Sequence, residues 1–502
     1  MSLPSRTVRN MPPSLVRLRH AGSCQRRLSC HHRSLHSHSS RLSPLTSPSP
    51  PVSQQHSLLL PRQPSSAFAT AAAAASTSAS AKPSNGASYP SSPKRIRPDQ
   101  IVAQQYANHP IYSYSFAQGC RHIVLNRPSH LNALNLAMVD RLHAILDAMS
   151  LDKDISVVAM SGTGNKAFCA GGDVRLLHDA GLRRKQQNGR TGDSDVTKQF
   201  FRREYELNFK LSHMRVPVVP VLNGIVMGGG VGLSAHCRYR VATPQSLFAM
   251  PECAIGFFPD VGGSYLLPRL HHPYLGHYLG LTGARLKGYD LVHAGIATHY
   301  ADSEDWTSHL ELSHNTFGMT WQQAEDAIED VFWHLSVGSR EPEPSFSLGA
   351  EELQLIADVF SLDSVERMVE ALTEKGRTLS ASSPAAALVK STQAALSSAS
   401  PLSLKVTLEA LRRGARMPLA DCLAMEYRIS QHMMMGEDFY AGVNSALIWR
   451  DRKPQWKHAR LQDVTEREVQ SYFGEMQDQA ELQLEYPKYQ EPQWYSGISD
   501  NK

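Results

Sequence analysis

Between Leu134 and Met149 apolar side chains return every three or four residues, at Leu134, Met138, Leu142, Ile145, Leu146 and Met149. That spacing predicts a helix with one buried face. The runs around it differ in kind. "CRHIVLNR" (120–127) reads as a strand, and "ISVVAMSG" (155–162) and "VPVVPVLNG" (216–224) are short, almost continuously apolar runs, the pattern of buried strands. "QFFRREYELNFKLSHM" (199–214) resumes helical spacing, and "YRVATP" and "SLFAMPE" read as two further short strands. Strand and helix thus alternate up to about residue 300, which argues for an α/β fold.

Beyond about residue 320 the strand pattern stops. "WQQAEDAIEDVFWHL", "AEELQLIADVF", "SVERMVEALTEK", "SPAAALVKSTQAAL", "PLSLKVTLEALRRG" and "LADCLAMEYRISQHMMM" read as successive helices separated by Gly, Pro and Ser. The expected organisation is an α/β core over 100–300, an all-helical region over 301–455 and a charged tail over 456–502. The polar stretch "RRKQQNGRTGDSD" (183–195) reads as a surface insert.

Composition changes the picture mainly at the N-terminus. From Met1 to Pro98 there is no Asp or Glu, while Arg, Ser, Pro and His abound. This is the makeup of an organelle transit peptide followed by a low-complexity linker, expected over 1–95. Thirteen of the 51 Lys and Arg fall in that leader and none of the 46 acids, so a whole-chain charge of +5 becomes −8 for the remainder. A mildly acidic folded part gives no nucleic-acid surface. No apolar run is long enough to cross a membrane as a helix. The five Cys beyond the leader form no C-x-x-C pair, which predicts buried free thiols and no metal site.

Candidate chemistry sits in three places. Two Gly-rich turns, "AFCAGGD" (167–173) and "GIVMGGGVG" (224–232), follow buried strands, where backbone N–H groups at a helix start can face an anion. The third is "FAMPECAIGFFPDVGG" (248–263), which places Glu252 and Asp260 among apolar, Gly and Pro residues. Gly256 and Pro259 between them predict a bend that brings both acids to one pocket. Two carboxyls in an apolar cleft do not ionise together freely, so one can be the base or nucleophile while its protonated partner is the acid. "GTGNKA" (162–167) matches a loose dinucleotide-binding pattern, but no helix opens there and the match carries no weight.

These blocks, with "GIVMGGGVGLS", "LTGARLKGYDLVHAGIATHY" and "MEYRIS…DFYAGV", resemble the crotonase (enoyl-CoA hydratase/isomerase) superfamily and, within it, the 3-hydroxyisobutyryl-CoA hydrolase branch. The resemblance runs from about residue 105 to 460. It implies a spiral of ββα units with an extended helical C-terminal part, acting on an acyl-CoA in the mitochondrial matrix during valine breakdown, with no cofactor beyond the coenzyme A of the substrate. It further implies that Gly172 and Gly229 form the oxyanion hole, that Glu252 and Asp260 are catalytic, and that Glu204, Gly229, Glu252 and Asp260 contact the substrate. Where hydratases carry a first catalytic Glu, this chain has Gly232, which weighs against the alternative of hydration or isomerisation. Ala441 and Asn444 stand where the branch usually has Glu and Arg, and Ser264 where it has Gly. Homo-oligomers are common among such proteins. Fungal relatives of the branch resemble proteins recruited to the small subunit of the mitochondrial ribosome, a non-enzymatic alternative.

Overall fold

The computed structural model describes residues 105–117, 119–187, 195–301, 344–450, 452–475 and 481–485, together with Gln323, Asp326 and Ile328. The acid-free leader, most of the 183–195 insert, most of "WQQAEDAIEDVFWHL" and the end of the chain past 485 lie outside the described residues.

Among the described residues, ten strands form two sheets. The larger has the order β1-β2-β3-β5-β7-β10 and the smaller β4-β6-β8-β9. An antiparallel pair, β1 (Ile111–Ala117) and β2 (Cys120–Leu125), opens the fold. Then each turn of the chain gives one strand to each sheet. β3 (Val157–Gly162) and β4 (Ala167–Cys169) are followed by β5 (Val218–Leu222) and β6 (Ile225–Met227), then by β7 (Val241–Ala242) and β8 (Leu247–Ala249). Pairing between successive turns is parallel in both sheets. Two-residue strands β9 (Leu286–Lys287) and β10 (His299–Tyr300) complete the edges. This is the ββα spiral that the resemblance implied.

The continuous apolar runs have a direct cause. Val158 and Met160 of β3 enter the main core, whereas Val157 and Ala159 join a second buried cluster on the opposite face with Val219, Val221 and Val241. A strand covered on both faces has no reason to alternate. "GTGNKA" links β3 to β4, strand to strand, with no helix for a dinucleotide to sit on.

Helix α1 (Leu136–Leu151) starts later than its apolar spacing suggested, because the Asn135 side chain accepts from Met138 N–H and caps it there. Helix α2 (Val174–Gln186) is capped by Asp173 and helix α3 (Val196–Ser212) by Asp195. Asp195 also pairs with the buried Arg184 at 3.1 Å, and Arg184 donates to Gln431 Oε1 at 2.8 Å, tying α2 and α3 to the C-terminal helices.

Those helices form as their periodicity predicted: Ala350–Phe360, Val365–Thr378, Pro384–Ser398, Pro401–Gly414 and Leu419–Met435. Ser383-Pro384 and Ser400-Pro401 each place a capping hydroxyl before a proline whose missing N–H a first helical turn does not need. All five Cys among the described residues are buried and free. The stretch expected as a charged tail from 456 is partly packed: Val464, Val469, Tyr472, Phe473 and Leu482 are buried in the main core.

Candidate active site

The two Gly-rich turns meet. A β-carbon on Gly171 would stand 3.4 Å from Met227 O and 3.7 Å from Gly229 N, so the two turns lie in close contact. Gly171 at φ +112° and Gly228 at φ +45°, ψ −121° hold conformations open to glycine alone. Leu134 donates to Gly171 O at 2.8 Å and accepts from Asp173 N–H at 2.7 Å, bridging to Gly172 in parallel fashion. That register skips the N–H of Gly172 itself. Gly229 is the first residue of the short helix α4 (Gly229–Gly232), whose opening N–H groups have no intrahelical acceptor. Neither N–H has a protein acceptor among the described residues. The turns therefore present two donors at one point, with the positive end of α4 behind one of them.

Two carboxyls lie against these turns and a third interacts with both, and all are buried: Glu204 is 2 % exposed, Glu252 7 % and Asp260 6 %. Glu204, on α3, lies so close to Gly229 that a β-carbon there would collide with its Oε1. Glu252 begins a 3-10 turn (Glu252–Ile255), and its Oε1 lies 3.4 Å from where a Gly228 β-carbon would stand. The bend predicted between the acids is present, with Gly256 left-handed at φ +71°. Phe257 and Phe258 then plunge into the core, Phe257 stacking on Phe201 at 5.6 Å, and this pins the chain between the two acids.

Asp260 accepts from the Tyr205 hydroxyl at 2.7 Å. Burial pushes its carboxyl up to about 7 even though this donor favours the charged form. Burial, and then the charge of Asp260, hold both Glu204 and Glu252 well above the usual carboxylate range. Three carboxyls raised in this way resist being charged together.

The structure adds residues that sequence reading missed. Glu426, in the helix Leu419–Met435, accepts from Gly262 N–H at 2.7 Å, Ser264 N–H at 2.9 Å and the Ser264 hydroxyl at 2.5 Å. It is fully buried and pushed up to about 8 by that burial. His236 donates from Nε2 to Val261 O at 2.8 Å. Together they clamp Val261 and Gly262, both at positive φ, directly after Asp260. Ser264, read as a departure, thus supplies two of the three bonds to Glu426. Ala441 lies in a short helix (Asp438–Val443) packed on the Glu252–Ile255 turn, where Gly442 leaves no room for a β-carbon against Ile255. Asn444 follows that helix and is half-buried. One signal was available for Glu426: it sits on an apolar stripe with Cys422, Leu423, Ile429 and Met433, where an acid is out of place.

A spiral of paired sheets with two N–H donors facing buried carboxyls defines a class, and the chain belongs to the enoyl-CoA hydratase/isomerase family, whose model matches residues 120–473. Within that family it is similar to the mitochondrial 3-hydroxyisobutyryl-CoA hydrolases of Gallus gallus and Homo sapiens. It is 43 % identical to the first over 357 residues and 41 % to the second over 358, each spanning 71 % of this chain and 86 % of the relative. Among solved structures, a carnitinyl-CoA dehydratase from Mycobacterium thermoresistibile superposes with a TM-score of 0.64 at 31 % identity, over 75 % of this chain and 99 % of that one. An enoyl-CoA hydratase from Rhodobacter sphaeroides gives 0.59 at 31 % identity, over 72 % and 97 %.

Proposed function

We propose that the protein hydrolyses the thioester of 3-hydroxyisobutyryl-CoA, a short branched hydroxyacyl-CoA, to the free acid and coenzyme A, in the mitochondrial matrix as a step of valine breakdown. The observation that carries this reading is the pair of unengaged N–H groups of Gly172 and Gly229 converging on buried carboxyls, in a chain similar to hydrolases of that name. The thioester oxygen sits against the two N–H groups, which take up the charge that grows on it; a donor so placed contributes about 3–4 kcal/mol to lowering the barrier. Glu252, next to the Gly228–Gly229 turn, is the acid that acts on the carbonyl. The positive end of α4 favours charge on Glu252, and Asp260 holds the proton of the pair.

Two routes use these positions. In one, Glu252 attacks the carbonyl carbon, the C–S bond breaks, the thiolate takes the proton from Asp260, and water then opens the resulting anhydride. In the other, Glu252 draws a proton from water, which attacks the carbonyl carbon directly; the C–S bond then breaks and the thiolate takes the proton from Asp260. Oxygen-18 from solvent found inside Glu252 after turnover marks the first route, with water opening the anhydride at the Glu252 carbonyl. No cofactor is required by either. Hydration of an enoyl-CoA fits less well, because Gly232 contributes no acid and is hemmed in by Asn208 and Val261.

Thiol release from 3-hydroxyisobutyryl-CoA, measured beside Glu252→Ala and Asp260→Ala, tests the proposal. Release lost in both folded variants supports it, and no release from the unaltered protein sinks it.

A further inference from the structure

Around the two turns, three buried side chains have polar atoms without a hydrogen-bond partner among the described residues: Glu204 Oε1, Glu252 Oε2, and both Nδ2 and Oδ1 of Asn208. The two acids belong to the reaction already described. Asn208 does not, yet it is fully buried with its whole amide unanswered. Buried polar groups are nearly always paired, so such an amide points to a ligand.

Its position says which part of the substrate it meets. Asn208 follows Glu204 by four residues on α3, so both lie on one face. Glu204 abuts Gly229, the first residue of α4, and Asn208 abuts Gly232, the last. A β-carbon on Gly232 would stand 2.7 Å from Asn208 Nδ2, 2.9 Å from Oδ1 and 2.8 Å from Val261 Cβ. The amide therefore lies about one turn, roughly 4.5 Å, along α4 from the N–H that faces the thioester oxygen, and beside the residue that follows Asp260. A substituent on the third acyl carbon stands off from the carbonyl in a comparable way.

The chemistry narrows the substituent. An amide with a free donor and a free acceptor is answered by one group that both accepts and donates, which a hydroxyl does. An alkyl group answers neither atom. A carboxylate cannot donate and would add charge beside Glu204, Glu252 and Asp260. Resting on the hydrolase reading above, we infer that Asn208 reads the hydroxyl of the acyl group and sets the preference for hydroxyacyl over plain acyl thioesters.

The test compares 3-hydroxyisobutyryl-CoA with isobutyryl-CoA, which lacks the hydroxyl, in the full-length protein, Asn208→Leu (similar volume, no polar atoms) and Asn208→Ala, with thermal melts as the folding control. The unaltered protein should favour the hydroxyacyl substrate in kcat/KM by at least about a hundredfold, since a site built to bond a hydroxyl rejects the analogue that lacks it. In Asn208→Leu that preference should collapse about 10- to 100-fold through loss on the hydroxyacyl substrate alone. Asn208→Ala should show the same selective loss and serves if leucine disrupts folding. Equal losses on both substrates would mean a structural role and overturn the inference, as would an unaltered preference. Thiol release without any preference in the parent overturns this inference only; no release from either substrate overturns the hydrolase reading and this inference with it.

Discussion

Glu426→Gln tests whether the turn carrying Asp260 is held in place from the C-terminal helices. The carboxyl receives three bonds, from Gly262 N–H, Ser264 N–H and the Ser264 hydroxyl, and is fully buried. Glutamine can keep the two bonds from Ser264 on its oxygen, but its NH2 then faces Gly262 N–H, donor against donor. One hydrogen bond is lost, worth about 0.5–1.5 kcal/mol, and a buried N–H is left unpaired at about 1–3 kcal/mol. Part of this is offset, because a carboxyl that burial pushes up to about 8 is itself costly to ionise there. The net loss expected is about 2–4 kcal/mol.

That loss is felt where Val261 and Gly262 are held at positive φ, next to Asp260. Glu426 is placed to act through that turn, so thiol release should lose kcat, by about 10- to 100-fold at about 1.4 kcal/mol per tenfold, with KM little changed. The assays are steady-state thiol release and a thermal melt. A variant with unaltered kcat and melting temperature would refute the reasoning, and a lowered melting temperature with intact kcat would show that other contacts hold the turn.

Three further outcomes follow from the same geometry. With Asp260 pushed up to about 7 and Glu252 held well above the usual carboxylate range, the pair has no carboxylate at low pH and no acid once both ionise. The kcat/KM profile should therefore be bell-shaped with its rising limb near pH 7, and a rate flat from pH 5 to 8 would contradict this. Because the folded-state value of Asp260 lies above the ordinary 3.8, its favourable share of stability is full below that value and is lost as pH rises through about 7. Asp260→Asn should thus gain up to roughly 4 kcal/mol relative to the parent on going from pH 4 to pH 8, read from denaturant unfolding at both; a pH-independent difference would count against the buried-acid picture. Gly229→Ala drives a β-carbon into Glu204 and displaces an oxyanion donor, so kcat should fall about 100- to 1,000-fold, and full activity in this variant would remove Gly229 from the site.

Much of the fold was legible because burial leaves a period in the chain. The helices 350–360, 401–414 and 419–435 appear where their apolar spacing put them, and β3 and β5 showed as continuous runs because clusters on both faces cover them. The Gly-rich turns and the two acids were visible too, since glycine runs and buried carboxyls are each expensive enough to stand out locally. What spacing along the chain could not carry was every relation across it. Tyr205 meets Asp260, and Glu426 meets Gly262 and Ser264, only when α3 and the helix 419–435 are packed on the spiral. Which acid ionises first is set by burial and by that tyrosine, neither of which is a property of the residue alone. Periodic elements and the types of group available for chemistry depend on near neighbours, so they can be read along the chain. Which of those groups face one another, and with what charge, depends on dielectric surroundings and hydrogen-bond partners that folding brings from parts of the chain far away in sequence.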